Sequence, residues 1–111
     1  MTMQERRTEN RLMCADMVKL AWRDAAGKRR RTMALLEDIS PSGACLQLET
    51  PLPPGVSIEW NSQGHDFHGH VRYCIYREIG YFAGIQFNPV SKWSKTIYQP
   101  EHMFDPRRMI Q

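Results

Sequence analysis

The stretch Asp38-Ile39-Ser40-Pro41-Ser42-Gly43 lies between two apolar, strand-like runs, Thr32 to Leu36 and Ala44 to Glu49. Two short polar side chains two residues apart, then a proline, then a glycine, predict a tight polar turn joining two strands. Proline presets one backbone angle, and Gly43 permits either a positive φ or the close approach of another group to the backbone. Asp38 and Ser40 can bond neighbouring backbone or a donor-rich ligand.

Working back from this turn, the basic run Lys28-Arg29-Arg30-Arg31 leads into Thr32, and Asp24-Ala25-Ala26-Gly27 turns the chain before it. Earlier still, Met17, Lys19 and Ala21 alternate with Val18, Leu20 and Trp22, the period of a half-buried strand. Working forward, Ala44, Leu46 and Leu48 alternate with Cys45, Gln47 and Glu49, and Pro51 to Gly55 can be neither helix nor central strand. Val56, Ile58 and Trp60 share one strand face, and Asn61 to Gly64 turns into a longer strand from Phe67 to Tyr76. That strand is expected to carry Val71, Tyr73 and Ile75 on one side, with Arg72 pointing away from the core. Glu78-Ile79-Gly80 turns again into Tyr81, Ala83, Ile85 and Phe87.

About six short strands with Gly, Pro or Asn between them predict a mainly all-β chain: a small six-stranded antiparallel β-barrel, whose closure removes vulnerable edges. Trp22, Trp60, Tyr73 and Phe87 mostly fall on its presumed core faces. Pro89 ends the last strand, and Ser91 caps a short C-terminal α-helix with Val90, Trp93 and Ile97 along one stripe, stopped by Pro100. The tail beyond it carries Met103, Phe104 and Met109, which suit docking on the barrel or a partner equally. The division is a flexible arm over 1–13, a barrel over 14–88, and a short helix with tail over 89–111.

At 111 residues, 41 % hydrophobic and 24 % charged, the chain is one ordinary globular domain, not a disordered one. No apolar run approaches the roughly 18 residues of a membrane-spanning helix, and the polar start has no apolar segment behind it. A cytoplasmic protein without direct membrane insertion is expected. Cys14, Cys45 and Cys74 are odd in number and far apart, which suits reduced thiols. The net charge of +3 is uneven: residues 1 to 31 balance at +5 and residues 32 to 90 at −4. The N-terminal third is therefore the part prepared to meet an anion.

Within that third, Arg7-Thr8-Glu9-Asn10-Arg11 sets two guanidiniums four residues apart, the second 27 residues before Asp38. An R-x-x-x-R followed by D-x-S-x-x-G resembles the PilZ domain, the bacterial receptor module for the second messenger cyclic di-GMP. The resemblance runs from about Arg7 to Phe87. It implies that Arg7 and Arg11 take the ligand's phosphates and guanine, that Asp38 and Ser40 hold a guanine, and that Gly43 shapes the turn. The chemistry is apt: an arginine fork grips a phosphate or the O6/N7 edge of guanine, and a carboxylate accepts from guanine N1-H and N2-H. Arg6, beside the motif, and Arg72, pointing outward, are auxiliary candidates. The resemblance also implies a mobile arm that folds over the ligand, and an effector protein to receive the signal, with one ligand or an intercalated pair per protomer.

Other chemistries are weaker. Lys28 to Arg31 could meet nucleic-acid phosphates, but basic residues at a hairpin also discourage edge pairing, and no exposed aromatic platform is expected; no nucleic-acid partner is predicted. His68 and His70 would share a strand face near His65 and Asp66, yet no third and fourth ligand is placed, so no metal or other cofactor is predicted. The chain has no nucleophile elbow, H-E-x-x-H or phosphate-cradling glycine loop, so it reads as a non-enzyme. The alternative to a nucleotide receptor is a PilZ-like adaptor that binds only protein.

Overall fold

The computed structural model describes residues 11–89 and 103–104. Arg6, Arg7 and the helix expected from Ser91 lie outside the described residues. Seven strands are described: β1 (Leu12–Arg23), β2 (Arg29–Ser40), β3 (Gly43–Leu48), β4 (Ser57–Ser62), β5 (His65–Arg77), β6 (Gly80–Phe87) and β7 (Met103–Phe104). The first six form a closed antiparallel barrel in the order β1-β2-β3-β6-β5-β4, with β4 returning to β1 through Ala21–Glu59 and Trp22–Ile58. β7, from the tail, adds to β1 beside Met13 and Cys14.

Alternation becomes burial. Val18 and Leu20 of β1, Ala44, Leu46 and Leu48 of β3, Ile58 and Trp60 of β4, and Ala83, Ile85 and Phe87 of β6 all point inward. Phe67 sits at the centre, stacked on Trp60 at 5.1 Å between centroids and 5.4 Å from Phe87. The connection from β3 to β4 must pass two intervening strands, and in doing so it drops Leu52 into the core, 1 % exposed. Trp60 Nε1 is buried without an acceptor among the described residues.

The turns follow their residues. Asp24 Oδ1 accepts from the backbone N–H of Ala26 and Lys28, and Gly27 takes a positive φ of 79°. Backbone donation from Lys28, then the side-chain hydrogen bond from Arg30, holds the Asp24 carboxyl below its usual range. Gln63 and Gly64 both have positive φ, the two-residue turn whose twist matches a hairpin.

Two residues of the basic run are engaged locally: Arg30 Nε lies 2.9 Å from Asp24 Oδ2, and Arg29 lies 3.7 Å from Glu59. This favours the hairpin reading of Lys28 to Arg31.

Two expectations change. The polar stretch is not one turn: Asp38, Ile39 and Ser40 belong to β2 and Gly43 to β3, leaving Pro41 and Ser42 as the loop. Tyr73 and Ile75, expected on the Val71 face, are instead 43 % and 41 % exposed. The register between β5 and β6 shifts between Val71 and Tyr73, so β5 carries one extra residue, Arg72, and all later side chains change face.

Candidate functional site

A second bulge builds the site. In β2 the residues Leu36 and Asp38 oppose the consecutive β3 residues Leu46 and Cys45, so Glu37 is extra. Leu36 and Ile39 are both fully buried on either side of it. Glu37 and Asp38 are thereby left half-buried at the outer surface, and burial followed by the Asp38 charge raises the Glu37 pKa. Asp38 then faces outward beside Cys45, whose neighbours Ala44 and Leu46 point inward.

Arg11, immediately before β1, reaches this point. Its Nη1 donates to Asp38 at 3.3 Å to Oδ2 and 3.4 Å to Oδ1. The pair is long and the Arg11 side chain is 37 % exposed, so it contributes only about 0–1 kcal/mol and opens readily. The β1–β2 register, which pairs Met13 with Asp38, brings residues 27 apart into contact.

Ser40 is 6 % exposed and its hydroxyl donates to the Gly43 carbonyl at 3.3 Å, bracing the hairpin. The Ser42 carbonyl accepts from the Phe87 N–H at 2.7 Å, which ties the turn to β6. Of the two uses offered for Gly43, the structure selects close approach. Its φ is not positive, and a Cβ there would collide with the Ile85 carbonyl oxygen. Gly43→Ala is therefore expected to cost about 1–3 kcal/mol by forcing β3 and β6 apart, a loss readable in a urea unfolding midpoint. An unchanged midpoint would mean that the strands separate freely at this point.

The outer row continues past Asp38: Cys45 pairs with Gly84 of β6, and Gly84 with Tyr73 of β5. Gly84 offers no side chain, and the Tyr73 ring lies across it so closely that a Cβ at Gly84 would enter the ring. Arg77 lies over the Phe82 ring, 5.7 Å from its centroid, two residues along β6 from Gly84. Burial pushes the Cys45 thiol up to about 11, with Asp38 and Glu37 adding to the shift and the guanidiniums of Arg11 and Arg77 opposing it. Cys45 thus senses a cation from β5 as well as the one from the arm.

Of the sequence-based candidates, Arg11, Asp38, Ser40 and Gly43 are brought together. Arg72 is exposed as the extra residue of the β5 bulge, on a strand separated from that of Asp38 by β6 and β3. Tyr73 and Arg77 were not singled out. The available signal was Gly84, a glycine inside a strand pattern, which marks a bulge or close approach. Among the described residues, no group of three His, Cys, Asp or Glu side chains could hold a metal ion, and no helix is long and apolar enough to cross a membrane.

The chain matches the PilZ domain family model over residues 5–98. No curated protein matches it significantly. Among solved structures it resembles the PilZ domain with c-di-GMP of YcgR from Escherichia coli, with a TM-score of 0.59, 21 % identity, and coverage of 78 % of this chain and 80 % of that one. At that identity the likeness establishes the fold.

Proposed function

This chain belongs to the PilZ domain family, and from that premise we propose that it is a cyclic di-GMP receptor, acting in the cytoplasm, that orders its N-terminal arginine arm on the ligand and signals to an effector protein. The observation that carries the proposal is the contact between Arg11 and Asp38 on the outer barrel face, which joins the two motifs across 27 residues. The PilZ domain of YcgR, similar in fold, is described with c-di-GMP.

In this reading the ligand replaces a weak ion pair with stronger partners. A guanine presents N1-H and N2-H to the Asp38 carboxylate, and the released Arg11 fork turns to a phosphate or to the O6/N7 edge. Arg7 makes the second arm contact, with Arg6 adding charge beside it. Ser40 can redirect its hydroxyl from Gly43 to the ligand at little cost, because hydroxyls rotate to suit their partners. Several charge-assisted hydrogen bonds of about 1.5–3 kcal/mol each, less the ordering of the arm, correspond to low-micromolar or tighter binding. The ordered arm is then a new surface, and only the ligand-bound form presents it to the effector.

The test is isothermal titration with cyclic di-GMP beside GTP and cyclic di-AMP. Saturable, guanine-selective heat is expected, and its stoichiometry distinguishes one ligand from an intercalated pair. A folded protein that yields no heat with cyclic di-GMP removes the receptor reading in favour of the protein-only adaptor.

A further inference from the structure

The outer row that begins at Asp38 does not end at Cys45. It runs across one more strand to an aromatic ring, Tyr73, and four residues further along the same strand Arg77 holds its guanidinium over the Phe82 ring. We infer that Tyr73 and Arg77 of β5 form a second wall of the ligand site, with the Tyr73 ring taking the face of a purine and Arg77 taking an anionic phosphate. This rests on the receptor reading and extends it to residues outside both sequence motifs.

Three independent features place the wall. The β5 bulge at Arg72 turns Tyr73 out of the core, onto the face that carries Asp38 and Cys45. Gly84 supplies a gap into which the ring lies, so Tyr73 leans over β6 toward the site. Asp38 and Gly84 are separated by β3 alone, two strand spacings or roughly 10 Å, a width on the scale of a nucleobase.

The opposite polarity of the two ends suits a dinucleotide. At the Asp38 end an acceptor is offered for guanine N–H groups; at the far end a π-face and a cation are offered. Tyr73 as a residue is 43 % exposed, whereas Trp60, Phe67 and Phe87 are buried and unavailable to a ligand. Arg77 is held by the Phe82 ring and is not spent on any carboxylate among the described residues. The guanidinium is also felt at the Cys45 thiol, between the two walls.

A purely architectural role is the competing explanation, since an aromatic ring laid over a glycine also protects the backbone of a strand. Substitutions separate the two. Tyr73→Leu keeps an apolar cover over Gly84 but removes the π-face, and Tyr73→Phe keeps both. Stacking of a base on an aromatic ring contributes enough that Tyr73→Leu is expected to weaken cyclic di-GMP binding by about fivefold or more, while Tyr73→Phe stays within about twofold of wild type. Arg77→Ala is expected to lose about fivefold or more and to flatten the salt dependence of binding, as loss of a phosphate contact does.

Tyr76→Ala serves as the control. Tyr76 is 67 % exposed on the other face of β5, against the Tyr81 ring at 5.1 Å, and its truncation is expected to leave affinity unchanged. The titrations are run on the full chain, with unfolding midpoints measured for every variant. Wild-type binding with unaltered Tyr73→Leu and Arg77→Ala affinities overturns the second wall and leaves the receptor reading intact. Equal losses in Tyr73→Leu and Tyr73→Phe overturn the stacking role. Absence of wild-type binding overturns both readings together.

Discussion

The Arg7→Ala/Arg11→Ala double variant is expected to bind cyclic di-GMP at least about a hundredfold more weakly than wild type, with an unchanged unfolding midpoint. Each guanidinium is assigned a charge-assisted contact of about 1.5–3 kcal/mol, and two together span about 3–6 kcal/mol, or two to four decades in affinity. Stability is spared because the Arg11–Asp38 pair, at 3.3 Å and partly exposed, contributes little to the fold. Arg29→Ala is the informative companion. It removes one guanidinium, from a residue paired with Glu59 over strand β1 on the outer surface, away from the Asp38 row. It should leave the isotherm unchanged at physiological salt. Equal losses in the two variants would reduce the site to a diffuse basic patch, and full binding by the double variant would remove the arm from the mechanism.

Phe67→Ala is expected to cost about 3–5 kcal/mol, since Phe67 is fully buried and truncating it leaves a cavity ringed by other aromatics. Trp60 at 5.1 Å, Phe87 at 5.4 Å and His65 at 4.9 Å are anchored on strands held on both sides, so the space cannot close by a small shift. Against a total of about 5–15 kcal/mol for a domain, such a loss should bring the protein close to unfolding at 37 °C. Urea unfolding followed by tryptophan fluorescence measures it. Ile79→Ala, at a position 70 % exposed, should change stability by no more than about 0.5 kcal/mol. A Phe67→Ala cost below about 1.5 kcal/mol would mean that the three aromatic neighbours repack, and that the centre of the barrel is less rigid than its geometry implies.

The sequence by itself determined the six barrel strands and most of the turns between them, and it marked the candidate residues of the two motifs, but not the short β7 or the true extent of the loop at Pro41 and Ser42. Alternation at Ala44, Leu46 and Leu48, or at Val18 and Leu20, is a local signal, because successive side chains of a strand point to opposite faces whatever lies alongside. Arg11, Asp38, Ser40 and Gly43 were legible because a motif records residue types and spacing. Tertiary structure alone decided which face later residues occupy and what meets across the barrel. The bulges at Glu37 and Arg72 exist only in the register of β2 against β3 and of β5 against β6. One extra residue reverses every side chain after it, so Tyr73, inward by alternation, stands outward over Gly84. The meeting of Arg11 with Asp38 likewise depends on β1 pairing with β2, a long-range hydrogen-bond register that no window of neighbouring residues encodes.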